Sequence, residues 1–239
     1  TATTEIYILS LHDALPIWLV IDALSDFSDS FYKVSNEIDI DSQTIKQELV
    51  RNYDKEYLGN VVYDLPNVSP RRDTLAYLPK DQNALIAQYF FIVDNPSPLG
   101  EKNALLTPGG AVATYFSNHE KYHPSFNKLL EEFSLYDIFL VDKKGNLVYT
   151  TFKEKDYATN LEDGPYKDTG IAVAYSKAKS LKESEVVFDD FMFYEPSYNA
   201  PASFVATPIY KDDKYLGVLI FQMPRSEERR VGKECRSRW

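Results

Sequence analysis

The sharpest chemical pattern in the chain is His119-Glu120-Lys121-Tyr122-His123. H-E-x-x-H on a helix sets two imidazoles one turn apart for zinc, with a glutamate beside them as general base. Catalytic zinc needs a third protein ligand, and the extended pattern with a further glycine and histidine is absent. Glu131 and Glu132 follow without a helical register that returns them to the histidines. Pro124 comes directly after the second histidine and interrupts the helix that the pattern needs. The residues favour a structural histidine pair, with zinc hydrolysis as the alternative. Asp189-Asp190 is a candidate carboxylate pair for acid–base work or a cation. Neighbours along a strand point to opposite faces, so only one of the two can enter a shared site. Glu162-Asp163-Gly164 lacks the aspartate spacing of a calcium loop, and Gly109-Gly110 is not followed by the Gly-Lys-Ser/Thr of a phosphate loop. There is no Gly-x-Ser-x-Gly and no cysteine but Cys235, near the C-terminus. No catalytic residue, metal site or cofactor is assigned.

What remains is binding chemistry. Lys153 is suited to a ligand carboxylate, and Asp156, Asp163 or Asp190 to an ammonium group. Tyr157, Tyr166, Tyr194 and Tyr198 offer pocket walls and hydroxyls. These eight residues lie on a polar connection at 153–167 and on and after a later strand. For each, the alternative is an ordinary role: a solvated lysine, or a plain strand connection through Tyr194-Glu195-Pro196-Ser197-Tyr198.

The elements that would position them change character along the chain. Val20, Leu24, Phe27, Phe31 and Val34 recur at spacings of three and four, predicting a helix over 18–38. Asp41 and Ser42 offer a cap for a second helix to about residue 58, and Asp81 for a third over 82–93. Prolines 66, 70 and 79 break the segment between, leaving one helical turn at 74–78. Residues 115–133 read as helix in two pieces meeting at Pro124. The period then shifts from 3.6 to 2. Strands are predicted at 137–141 and 147–152 about a Gly145 turn, then at 186–194, 202–210 and 215–223. A short helix capped by Asp168 or Thr169 runs to Lys179.

The two ends stand apart. Codons written for residues 225–239, read on the opposite strand in another frame, spell residues 4–17 apart from Ile8. Residues 1–17 and 225–239 are therefore expected to be translated sequencing adapter, leaving 18–224 as a fragment of a longer protein. Of 26 basic and 36 acidic residues, six basic and three acidic lie in that tail and two acidic in that head, leaving 20 against 31, a net charge of −11. That acidity argues against nucleic acid or an anionic membrane surface as partner. No apolar run reaches the ~20 residues of a membrane span. The 18 tyrosines read mostly as half-buried side chains.

Particular strings in the second half carry a resemblance. Y-D-I-F-L-V-D, V-Y-T-T-F-K-E-K-D-Y-A-T-N-L, D-G-P-Y-K-D-T-G, F-x-F-Y-E-P-S-Y-N-A-P-A-S-F and G-V-L-I-F-Q-M-P are similar to the Cache-type, PAS-like sensor region of bacterial transmembrane transducers: methyl-accepting chemotaxis receptors, sensor histidine kinases and nucleotide cyclases. N-P-S-P-L-G-E-K and Y-H-P-S-F resemble the segment upstream of it, so the likeness covers roughly 81–224. It implies an α+β fold, with a helical region at 18–134 packed on a five-stranded antiparallel PAS-like sheet at 135–224. It implies a periplasmic or otherwise extracytoplasmic domain of a membrane-anchored parent. That domain would bind a small-molecule solute on the sheet's concave face, with homodimerisation an open expectation. The full amine-binding motif of some double-Cache receptors finds no match here. An interaction module that binds a protein is the other alternative.

Overall fold

The computed structural model describes residues 16–223. The expectation of adapter-derived ends therefore falls outside the described residues, except at Pro16 and Ile17. Helix α1 (Ile17–Phe31) buries Val20, Leu24, Phe27 and Phe31 on one face. The single helix predicted to residue 38 is two: the chain breaks at Tyr32 and resumes for one turn as α2 (Val34–Glu37). At the break the Tyr32 hydroxyl donates to Asp142 and accepts from Asn146 Nδ2 at 2.7 Å. A tertiary contact outweighs one more turn of helix there.

Asp41 caps α3 (Ser42–Asn52) by accepting the Thr44 N–H at 2.8 Å. The helix continues as a wider, π-type turn at Tyr53–Leu58. A single 3₁₀ turn at Thr74–Tyr77 follows, as the sequence predicts. Asp81 caps α4 (Gln82–Gln88), which also ends in a π-type turn, Tyr89–Val93. Helix α5 (Thr114–Glu132) corrects a prediction: it runs unbroken through Pro124. Pro124 is exposed, and so is Glu120, whose carbonyl loses its helical donor to the proline, so water can serve it. The opposite face buries Tyr115, Phe116, His119, Tyr122, His123, Phe126, Leu129 and Leu130, and that packing holds the helix together.

Strands β1 (Asp137–Asp142), β2 (Leu147–Thr150), β3 (Val187–Tyr194), β4 (Ala200–Lys211) and β5 (Lys214–Met223) form one sheet in the order β2-β1-β5-β4-β3, with every pair antiparallel. This is the expected α+β class with a five-stranded antiparallel, PAS-like sheet. Helix α6 (Gly170–Ala178) lies between β2 and β3 in sequence; neither Asp168 nor Thr169 caps it with a side chain.

The sheet is covered on both faces, so all six residues of β1 are buried and its polarity does not alternate. Ile138, Leu140, Val148, Tyr149, Leu219 and Phe221 join the core of helices α1–α5, with the Phe27 and Tyr149 rings 4.9 Å apart. Phe139, Val141, Phe204, Ala206, Val218 and Ile220 form a second core with Ile171, Ala174, Tyr175 and Ala178 of α6.

The central pair tolerates no side chain at Gly217, which faces Asp142 in register. A Cβ there would stand 2.0 Å from the Val141 carbonyl oxygen. Gly217→Ala should therefore force β1 and β5 apart and cost well over ~1 kcal/mol. Urea unfolding of the variant against the parent checks this; an unchanged midpoint would contradict the close approach.

Candidate functional site

Asp137 opens β1 with its carboxylate turned back on the chain. Its Oδ1 accepts the backbone N–H groups of Ile138 at 2.6 Å, Thr151 at 2.9 Å and Phe152 at 3.0 Å. β2 ends at Thr150, two residues short of the predicted strand: the Thr151 N–H is shared between Asp137 and the Ile138 carbonyl of β1, 3.0 Å away, and the Phe152 N–H goes to the Asp137 side chain rather than to the sheet. Lys153 follows in the left-handed region at φ 61°. The run Lys153-Glu154-Lys155-Asp156 then passes into the interior.

A run of four charges reads as solvated, yet Lys153, Lys155 and Asp156 are 2, 3 and 0% exposed. The Lys153 ammonium donates to the Thr150 carbonyl and lies 4.5 Å from the Tyr149 ring centre and 5.3 Å from that of Tyr157. The Lys155 ammonium donates to Asn52 Oδ1 over the Tyr53 ring at 4.5 Å. Aromatic faces thus replace part of the lost hydration. Burial lowers the pKa of both lysines, that of Lys155 to about 7. Glu154 accepts from the Tyr136 hydroxyl at 2.9 Å and from Ser197 Oγ at 2.7 Å.

Asp156 Oδ2 accepts the Tyr194 hydroxyl, and the Tyr194 ring stands edge-on to Phe204 at 5.1 Å. Phe204, Gln222 and Asp137 are consecutive register partners across β4, β5 and β1, so their side chains share one face. Gln222 Nε2 donates to Ser197 Oγ at 3.2 Å. The three carboxyl groups of Asp137, Glu154 and Asp156 are therefore gathered with Tyr194, Ser197 and Gln222 at one end of the sheet, beside the start of α6. Burial raises all three acids, Asp156 to about 6; the charge of Asp156 pushes Asp137 and Glu154 higher still. Asp137 Oδ2, Asp156 Oδ1 and Gln222 Oε1 are buried and receive no hydrogen bond.

Of the eight residues the sequence marks for binding, five are fully buried: Lys153, Asp156, Tyr157, Tyr166 and Tyr194. Asp156 and Tyr194 meet directly. Lys153 and Tyr157 turn toward α5, where the Tyr157 and Tyr115 hydroxyls are 2.8 Å apart. Tyr166 packs beside Tyr77, and half-buried Tyr198 beside Tyr57. The remaining two acids lie outside the cluster. Asp163 is exposed on the rim of a surface groove of 350 Å³ that also includes Arg72 and Lys80. Asp190 is exposed at the β3 bulge, where it accepts the Phe191 N–H. Its neighbour Asp189 is the inward one, paired with Lys177 at 2.8 Å.

Four members of the cluster escape the sequence reading: Asp137, Glu154, Ser197 and Gln222. The available signal is a lone polar residue in an otherwise apolar strand. Asp137 begins D-I-F-L-V-D and Gln222 nearly ends Y-L-G-V-L-I-F-Q-M.

The histidine pair is structural. His119 Nδ1 donates to the Leu106 carbonyl, and His123 Nε2 to that of Asn103, each at 2.7 Å. His123 Nδ1 accepts from the Tyr149 hydroxyl at 2.7 Å, so neither of its nitrogens is free for a metal. The rings stack 4.3 Å apart. Burial and the charge of Lys153 depress both, His123 to about 3, so both stay neutral. Glu120 faces outward.

No protein-family model and no curated protein matches the chain. Solved structures do. The sensor domain of the histidine kinase DctB from V. cholerae is 15% identical, with a TM-score of 0.37, over 60% of this chain and 50% of that one. The ligand-binding domain of Mlp24 with asparagine is 16% identical, at 0.31, over 42% and 40%. The ligand-binding domain of the Campylobacter jejuni chemoreceptor Tlp3 with L-norvaline is 12% identical, at 0.33, over 92% and 60%. The match thus spans about half the length of these solved chains.

Asp156 yields a pH prediction. Folding raises its pKa from 3.8 to about 6, so its contribution is complete below 3.8 and lost as pH rises through 6. Asp156→Asn mimics the protonated acid and should remove that loss. Between pH 4 and 7 the variant's unfolding free energy should gain on the parent's by up to about 3 kcal/mol. The neutral histidines act in the opposite direction but are common to both proteins. Parallel urea-unfolding curves across that range would refute the assignment.

Proposed function

We propose that this chain is the extracytoplasmic sensing part of a membrane-anchored bacterial signal transducer, and that it reads a small-molecule solute. The observation that carries the reading is the buried polar cluster of Asp137, Asp156, Tyr194 and Gln222. It unites a sheet end, the connection after β2 and the turn after β3. A catalytic site would need a nucleophile or a base facing substrate; these groups are buried and bonded to one another. The Cache-like strings at 136–223 support the same reading, because they include the connection and strand ends that build the cluster.

The proposed mechanism is a shift of conformational equilibrium. A solute can move that equilibrium only by its differential affinity for two arrangements of the chain. The connection 151–169 is the element to move, since hydrogen bonds of the cluster hold it to the sheet at Asp137 and to β3 at Tyr194. The helical layer shares one continuous core with the sheet, so displacement of the connection is felt by α1 and α5. Membrane anchoring and homodimerisation belong to the parent protein in this proposal.

One observation favours a second reading, a protein-interaction module. Phe188, Phe191, Met192 and Phe193 of edge strand β3 are 40–55% exposed. An apolar edge strand invites pairing with another chain.

Thermal denaturation of the chain with amino acids, amines, organic acids and divalent metals separates these readings. A solute at 100 times its dissociation constant adds about 2.7 kcal/mol. One organic class should raise the melting temperature in the parent and not in Tyr194→Phe. A response to zinc alone, or one undiminished by Tyr194→Phe, would count against a solute site in this cluster.

A further inference from the structure

Strand β3 closes the sheet with an unprotected edge. It is the last strand in the order, and among the described residues no strand pairs with its outer side. Natural edges are blunted by lysine, proline or a covering segment. β3 reads V-F-D-D-F-M-F-Y, with neither lysine nor proline, and Phe188, Phe191, Met192 and Phe193 are 40–55% exposed. At roughly 200 Å² for a side chain of this size, they leave about 370 Å² of apolar surface in one patch.

The bulge decides which of these side chains share a face. Asp189 and Met192 are the register partners of Phe204 and Ala202. Both partners belong to the core beneath α6, so Asp189 and Met192 point to that side. Phe188 and Phe193 are their neighbours along the strand and point to the other side. Five residues apart, they would lie on opposite faces of a regular strand. The extra residue between Asp189 and Met192 brings them to the same one.

The strand is thereby complementary to itself. Turned end for end against a copy, it sets Phe188 opposite Phe193, Asp189 opposite Met192 and Val187 opposite Tyr194, each pair on a common face. A slip of one residue either way would set Phe188 against Met192 or Tyr194, which point to the other face. In the matched register Asp190 stands opposite Phe191 of the copy and not opposite its own counterpart, so like charges are not paired. Asp189 is already neutralised by Lys177 at 2.8 Å.

We propose that β3 is a homotypic docking edge: two copies of this chain pair through it, antiparallel about a two-fold axis, with Phe188 of each against Phe193 of the other. This rests on the interaction reading above and names its partner; it is compatible with solute sensing. A two-fold axis makes every contact twice. The patch is under half of the ~800 Å² that each partner buries in a standard interface, so the pair is weak in free solution. Tethering of two parent proteins side by side would supply the millimolar effective concentration it needs.

Sedimentation equilibrium of the full chain, from about 10 μM to about 1 mM, tests this. A reductant keeps Cys235 from cross-linking copies. The average mass should climb from monomer toward dimer with concentration. Phe188→Lys and Phe193→Glu should each weaken association about tenfold or more, because either one removes both aromatic pairs. Combined in one chain, the introduced ammonium and carboxylate face each other across the axis twice, and association should return. Both positions are exposed, so the melting temperature of each variant at low concentration should match the parent's, which separates lost docking from lost folding. A parent that stays monomeric to 1 mM overturns a second copy as the occupant and leaves a different protein to the interaction reading. A dimer that neither substitution weakens, or that their combination fails to restore, overturns this pairing of β3 while self-association of the chain stands.

Discussion

The Asp137 carboxylate is the constraint on which the site depends. One oxygen takes three backbone N–H groups, two of them from residues just past the end of β2. That arrangement takes the Phe152 N–H away from the hairpin ladder and turns the connection inward. It also holds the carboxyl group so that its second oxygen faces the cluster. A buried acid with donors on one side and none on the other is stable only if the other side is protonated or meets a cation. The same group therefore trims the hairpin ladder, directs a charged run inward and fixes the electrostatics of the site.

A second acid ties the layers together. Glu195 accepts the Tyr63 and Tyr77 hydroxyls at 2.9 and 2.6 Å and Arg72 Nη2 at 3.1 Å, while its backbone carbonyl accepts Tyr57 at 2.7 Å. Arg72 also donates to the Pro165 carbonyl and stacks on Tyr77 at 4.2 Å. The helical layer, the connection and the turn after β3 meet at this one side chain. Tyrosine is the residue for such a joint, with an apolar ring for the core and a hydroxyl for the network. Among the described residues ten tyrosines are fully buried, where composition alone suggested mostly half-buried ones.

The fold was largely legible because each element announces itself locally. Caps at Asp41 and Asp81, the Gly145 turn and the apolar runs of β1, β4 and β5 lie where spacing and residue type put them. The errors share one cause, tertiary contacts overriding a local rule. Pro124 sits within α5 because its face is solvated while the opposite face is packed. The helix predicted over 18–38 breaks at Tyr32, whose hydroxyl is held by the β1–β2 turn. The site was legible in part. Tyr194 and Asp156 stand together, but Asp190 points outward because the bulge and the alternation of β3 turn Asp189 inward instead.

By itself the sequence determined the α+β class, the strand sequence and the acidic balance. These follow from periodicity, turn chemistry and composition, which act between near neighbours. Only the tertiary structure decided which charges are buried and which atoms meet. Asp137, Gln222 and Phe204 lie far apart in the chain and are joined by strand register alone. Lys153-Glu154-Lys155-Asp156 looks solvated as a string and is interior, because aromatic rings, backbone carbonyls and hydroxyls from other elements take the place of water. Long-range pairing sets that environment, and no local pattern encodes it.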